Sequence, residues 1–410
     1  MSFAAQNPAR PAALGFLRDA PWASPPRLRG YAILLALAHA AALAALLVMA
    51  RTGVDARGEP LGSDFVSFWS AGRLALQGHA AAVYDPAAHH AAEQAFFGRP
   101  LGWYAFFYPP IFLLACAPLG ALPYFAALAL WLTATFAALA TALRALGPRL
   151  ATPLTLAAFP AAFTTIGHGQ NAFLTAALLA GAALWLDRRP ALAGALLGGL
   201  AFKPQLALLV PVALLLAGRW RALAAMGATS ATLAGLSALV FGLDAWTAFL
   251  AETPMTRATL EQGLVDPAKM QSVFAAVRVV GGSVGLAYAA QVVAAGGALV
   301  ALARARPRSG RALVALASTL ACLTTPFLLD YDLTLLAVPL VVLAQEGCGT
   351  GFRPFEITAL AAAFLLAEVA RPLAMNLHLP VSPLVVAALA FMLIRRFARA
   401  PDCPRKLQTP

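Results

Sequence analysis

The chain has 410 residues, of which 61% are hydrophobic and only 11% charged, with a mean hydropathy of +0.77. No water-soluble domain tolerates that much apolar surface, so most of the chain faces lipid or other buried protein. The formal charge of +12 sits in short clusters between apolar runs and not along one soluble face, which argues against nucleic acid as a partner and makes the basic residues topology signals.

Arg10, Arg18, Arg27 and Arg29 precede the first apolar run, Tyr31 to Ala50, and no small-residue cleavage pattern stands before Arg51. The run reads as a retained first span. A span takes roughly 20 apolar residues. Further runs near 124–145, 150–166, 170–186, 191–205, 206–217, 222–241, 284–303, 312–328, 333–346, 355–370 and 382–396 raise the expectation to about twelve. With the amino terminus inside, the cytoplasmic segments hold 20 of the 29 basic residues and leave 9 outside, as the positive-inside rule requires. Only Asp19, Asp187, Glu346, Glu356 and Asp402 of the 17 acids then fall inside. Ala105 to Gly120 is apolar too, but counting it as a span would move the later arginine clusters outside. It therefore reads as a juxtamembrane helix lying along the outer interface, opened by Tyr108-Pro109-Pro110 and closed near Pro118 and Pro123.

The expected fold is an all-α polytopic membrane protein. Cytoplasmic tails at 1–30 and 398–410 flank a single transmembrane domain at 31–397, with a first external loop at 51–123 and a second external segment at 242–283. The four cysteines, Cys116, Cys322, Cys348 and Cys403, have neither metal-ligand spacing nor a disulfide pattern. No metal and no cofactor is expected, and no Walker loop, dinucleotide fingerprint or nucleophile elbow is present in a useful context.

The external side gathers the polar residues that carry chemistry. Asp64 follows the first span in an aromatic stretch ending Phe68-Trp69. A carboxylate at the membrane boundary suits a general base, and equally the N-cap of the helix that runs to Leu76. Gly78, Tyr84, Asp85 and Pro86 read as a turn with a structural acid. His168, Gln170 and Asn171 crowd a very short loop. They suit sugar hydroxyls or a phosphate, or else form a solvated hairpin. Lys203 breaks an apolar run before Pro204, where it either offsets a phosphate or snorkels to the headgroups. Gln271, between Lys269 and Arg278, opens another helix with donors fit for phosphate, although a basic pair near lipid also has a bland explanation. Asp330 and Asp332 stand together at an outer junction, costly there unless solvated, paired or used.

The ordered set of Asp64 with Phe68-Trp69-x-Ala71-Gly72, Gly78 with Tyr84-Asp85-Pro86, Phe107-Tyr108-Pro109-Pro110, Pro118 with Leu122-Pro123, Gly169-Gln170-Asn171, and Lys203-Pro204 before Arg219-Trp220-Arg221 covers most of the chain. It resembles glycosyltransferase family 87, a group of GT-C membrane glycosyltransferases that includes polyprenyl-phosphate-mannose-dependent mannosyltransferases. The resemblance implies a GT-C-like fold with juxtamembrane helices in the first external loop and an acid in that loop, Asp64, as catalytic base. It implies transfer of a hexose, mannose by family default, from a polyprenyl-phosphate sugar to a lipid or glycan acceptor at the external face of the inner membrane, with inversion. His168, Gln170, Asn171, Lys203, Gln271 and Arg278 would then bind the donor, and Tyr108, Asp330, Tyr331 and Asp332 would wall the site. The chain departs from its relatives at Pro326 to Asp332, where they often carry a Pro-x-x-Trp-x-His-His-like pattern. A transporter or lipid flippase is the rival reading. It would have a similar number of spans, but no inverted repeat is visible and His39 is the main ionisable residue at mid-bilayer depth.

Overall fold

A computed structural model describes residues 12–50, 53–55 and 58–398. Residues 1–11 and 399–410 of the expected tails, and Arg51, lie outside the described residues. The described chain is all-helical, and its only extended pairing consists of two isolated bridges, Val54 with Pro60 and Met270 with Leu329. Six helices are long and apolar enough to cross a membrane: Pro25–Met49 (α1), Tyr124–Leu146, Trp220–Phe241, Val284–Ala305, Asp330–Thr350 and Glu356–Leu377. Several of the other expected spans are shorter apolar helices, among them Ala172–Trp185 and Gly310–Thr324. The chain is thus a polytopic membrane protein with six full-length candidate spans and a set of shorter helices between them.

The described part of 51–123, expected as the first external loop, folds into an aromatic-rich unit packed against later helices. Phe65–Leu76 (α2) and Pro86–Phe97 (α3) are followed by Leu113–Gly120 (α4). Asp85 accepts from the N–H groups of Ala87 and Ala88 at 2.9 and 3.0 Å with Pro86 at the first helical position, so this acid is an N-cap and starts α3. The helix expected to open at Tyr108-Pro109-Pro110 begins at Pro110 and runs to Gly120, and α4 is buried against α2. The contact is close because a Cβ on Gly72 would stand 2.0 Å from the carbonyl oxygen of Cys116. Phe65, Phe68, Trp69, Tyr84, Tyr108, Phe112 and Tyr124 fill the unit, with the indole N–H of Trp69 donating to Leu122 O at 2.9 Å. Aromatic side chains bury large areas, and edge-to-face pairs such as Phe68 with Phe112 (5.0 Å) fix their packing.

The remaining helices used below are Tyr124–Leu146 (α5), Pro160–His168 (α6), Ala172–Trp185 (α7), Pro190–Gly198 (α8), Pro204–Leu216 (α9), Trp220–Phe241 (α10), Val273–Val279 (α11), Val284–Ala305 (α12), Gly310–Thr324 (α13), Glu356–Leu377 (α14) and Ser382–Phe397 (α15). The main core forms around α13, whose residues are almost all buried, with α7, α9, α12 and α15 packed about it. By contrast α1 and α10 leave their apolar side chains exposed, as lipid-facing helices do.

Candidate active site

One backbone contact brings the site together. Helix α6 ends at Gly169, whose φ of +66° is open to glycine and strained for other residues. A Cβ there would also meet Phe65 Cβ at 2.6 Å, so the turn can lie directly on the start of α2. The N–H of Asp64 accordingly donates to His168 O at 3.0 Å. Asp64 occupies the residue before α2 in helical conformation, and its carboxylate makes no capping bond. That leaves the carboxylate for the site. Gln170 Nε2 donates to Asp64 Oδ2 at 2.9 Å and the Ser63 hydroxyl to Oδ1 at 3.3 Å. Gln170 Oε1 accepts from the N–H of Asn171 at 2.9 Å and from the Tyr108 hydroxyl at 3.3 Å. These two donors dictate the amide's orientation and present its N–H, not its carbonyl, to Asp64.

Next to this chain lies a buried ion pair. Lys203 Nζ donates to Asp332 Oδ1 at 2.6 Å and to Asn171 Oδ1 at 2.9 Å, and the two side chains of the pair are 3% and 2% exposed. The other Asp332 oxygen accepts from Leu329 N–H at 3.1 Å. The rings of Tyr331 and Tyr108 stand 5.3 and 5.9 Å from the ammonium. Lys203 therefore does not snorkel, and its charge is already met within the protein. Gln170 and Asn171 are likewise buried, so their loop is not a solvated hairpin.

At the mouth Arg371 and His168 are less enclosed, while Asp330 stays buried. Asp330 accepts from Tyr331 N–H at 2.9 Å, and its other oxygen from Arg371 Nη1 at 3.4 Å; the Arg371 side chain is 31% exposed. Arg371 was invisible to motif reasoning, and its one signal is a lone arginine just past an apolar run and before Pro372. Pro372 removes a hydrogen bond from α14 at that point. His168 Nδ1 bonds Thr164 O at 2.9 Å; a carbonyl only accepts, so Nδ1 is the donor. Its ring lies 5.8 Å from that of Tyr331. Asp330 and Asp332, close in sequence, thus turn to different cations.

Two expected donor ligands sit elsewhere. Gln271 accepts from the Ser382 hydroxyl while its N–H donates to Leu328 O at 2.7 Å, clamping the start of α15 to the segment that leads into Asp330. Arg278 donates to Gly282 O at 2.8 Å at the end of α11. Neither bonds to the Asp64 network among the described residues. A further buried acid was not anticipated. Glu93 on α3 is fully enclosed, with His89 Nε2 at 3.3 Å, His90 Nδ1 at 3.2 Å, and the N–H of Tyr104 donating to it at 3.3 Å. It ties α3 to the segment that ends at Tyr108. Burial pushes the Glu93 carboxyl above its ordinary range, against the opposing pull of the two histidines.

The model for glycosyltransferase family 87 matches residues 106–329, more than half of the chain. This chain belongs to glycosyltransferase family 87. No curated protein and no solved structure matches it. The family-matched stretch holds Tyr108, His168, Gln170, Asn171 and Lys203, while Asp64, Asp330 to Asp332 and Arg371 lie outside it. In this family 87 glycosyltransferase the contacts of Asp64 with Gln170, of Asp332 with Lys203 and of Tyr331 with His168 join those flanks to the matched stretch.

Proposed function

We propose that the protein transfers a hexose, mannose by family default, from a polyprenyl-phosphate carrier to a hydroxyl of a lipid or glycan acceptor at the external face of the inner membrane. Asp64 is the general base. It takes the acceptor's proton as the acceptor oxygen attacks the anomeric carbon, and the bond from that carbon to the phosphate oxygen breaks to release the polyprenyl phosphate with inversion. The observation that carries this reading is the Asp64 carboxylate itself. It is free of the helix cap, half-buried among aromatic rings and aimed by a Gln170 amide whose orientation two further donors fix.

Arg371 and His168 are the groups at the mouth suited to the leaving phosphate. Arg371 is half-exposed and holds Asp330 by one long contact, so its remaining donors are free to form the forked contact that phosphate favours. His168 supplies an imidazole beside Tyr331, in the neighbourhood where the chain lacks the histidines of its relatives. Lys203 plays a different part: it positions Asn171 and Asp332 and so holds the floor of the site together. A lipid-linked donor suits the setting, because helices with exposed apolar faces surround the site and a polyprenyl chain can approach from the bilayer. The test is sugar transfer by the purified protein in vesicles, run across a panel of polyprenyl-phosphate sugars with Asp64→Asn as the control. Transfer from none of them, or undiminished transfer by the variant, would overturn the reading.

A further inference from the structure

Far from the Asp64 site, the end of α9 and the segment after α12 border an open cleft of about 350 Å³ lined by Arg219, Arg306 and Arg308 with Leu216 and Pro307. Its size falls within the roughly 300–1,000 Å³ range of small-ligand pockets. The position relative to the Asp64 site follows from three helices. Helix α7 runs from Asn171 to the neighbourhood of Asp187, α9 from Lys203 toward Arg219, and α13 from Gly310 toward Asp330. Each holds 13 to 15 residues, so the two sites lie roughly 20 Å apart at opposite helix ends.

Arg219 is held in place, while Arg306 and Arg308 keep unused donors. Arg219 Nη2 donates to Asp187 Oδ1 at 2.6 Å and to Arg308 O at 2.8 Å, and Asp187 Oδ2 in turn accepts from Gly310 N–H at 2.8 Å. Arg306 spends only Nε, on Ala303 O at 2.8 Å, and it takes a left-handed backbone conformation (φ +37°) that disfavours residues other than glycine. The Arg308 side chain has no hydrogen-bond or ion-pair partner among the described residues. Three guanidinium groups thus meet a single paired carboxylate, that of Asp187, and the cleft keeps an excess of two positive charges with unused donors. Guanidinium forks match phosphate oxygens.

The surroundings say where such a phosphate comes from. Leu208 and Leu215 on α9 and Val293, Leu299 and Val300 on α12 are exposed apolar side chains on the helices that lead to the cleft. Trp220, 62% exposed, follows Arg219 directly, in the manner of tryptophans at a membrane interface. We propose that this cleft binds the headgroup phosphate of an anionic phospholipid whose acyl chains lie along α9 and α12. In the orientation given under the proposed function it belongs to the cytoplasmic leaflet, which anionic lipids enrich. The site is independent of the sugar-transfer reading, since none of its residues touches the Asp64 network.

The test compares retention of phosphatidylglycerol and phosphatidylcholine by the full chain, purified from mixed micelles and weighed by native mass spectrometry. The wild type retains phosphatidylglycerol in preference, and Arg306→Gln with Arg308→Gln lowers that preference on the order of thirtyfold, about fivefold for each arginine. Arg308→Gln alone, which removes no contact within the protein, shows the single step if the double variant does not fold. Equal retention by the wild type and a folded variant would refute the site. Displacement of the lipid by equimolar inorganic phosphate or glycerol phosphate would show a free-phosphate site and overturn the lipid assignment.

Discussion

Removing the lysine of the Lys203–Asp332 pair separates a structural cation from a substrate contact. In Lys203→Met the Asp332 carboxylate, 2% exposed, keeps only the Leu329 N–H, and Asn171 Oδ1 loses its donor. Breaking a buried pair from one side costs about 3–5 kcal/mol, because the remaining charge stays desolvated without a partner. Apolar residues at both positions, Lys203→Met with Asp332→Leu, remove that charge as well, and stability should recover to within about 1–2 kcal/mol of the wild type. Unfolding in mixed micelles titrated with a denaturing detergent reads both values, and initial rates on the same preparations give the donor Michaelis constant. The pattern expected is a destabilised single variant rescued by the second substitution. A Lys203→Met protein as stable as the wild type, with a donor Michaelis constant raised tenfold or more, would refute the structural assignment and make Lys203 a phosphate ligand.

Arg371→Gln should raise the donor Michaelis constant about tenfold to a hundredfold, the value of one charge-assisted contact of about 1.5–3 kcal/mol; an unchanged constant would send the phosphate elsewhere. Gly72→Ala drives a Cβ to 2.0 Å from the Cys116 carbonyl oxygen and should cost about 1–3 kcal/mol as α2 and α4 separate, which thermal unfolding will detect and a neutral result would contradict. Glu93 holds its proton more tightly in the folded protein than in the unfolded chain. Its contribution to stability is therefore complete below the ordinary value of 4.5 and is lost as pH rises through the raised one. Glu93→Gln should flatten the stability profile above pH 4.5, and a profile of unchanged slope would contradict the assignment.

Much of the site was legible because its residues break apolar runs where nothing else needs them. Gln170, Asn171, Lys203 and Asp332 interrupt such runs and Asp64 stands just before an aromatic stretch, and the structure brings all five into one hydrogen-bonded chain. What no run discloses is who pairs with whom. Lys203 and Asp332 are 129 residues apart, and the partner decides whether a buried lysine is a ligand or a strut. Gln271 and Arg278 looked like donor ligands because an amide and a guanidinium near lipid invite a phosphate; a nearby hydroxyl and a carbonyl bond to them instead of the Asp64 network, while Arg278 Nε stays buried without a partner among the described residues. Glu93 was illegible for the opposite reason. His89, His90 and Glu93 on a short loop helix resemble a solvated face, and only the packing of α3 beneath the aromatic segment buries them. The span count meets a similar limit, since hydropathy marks α7 and α13 as apolar but gives no sign that they are only 14 and 15 residues long.

The general-base assignment itself rests on Asp64, and one variant tests it. Asn keeps the size of Asp and caps a helix about as well, but it cannot accept the acceptor's proton. A positioned general base typically contributes about 10²–10⁴-fold. Turnover by purified, folded Asp64→Asn protein, measured with the best polyprenyl-phosphate sugar of the panel, should therefore fall by that order while the donor Michaelis constant holds. Near-normal turnover by the folded variant would remove Asp64 as the base and contradict the account at its centre.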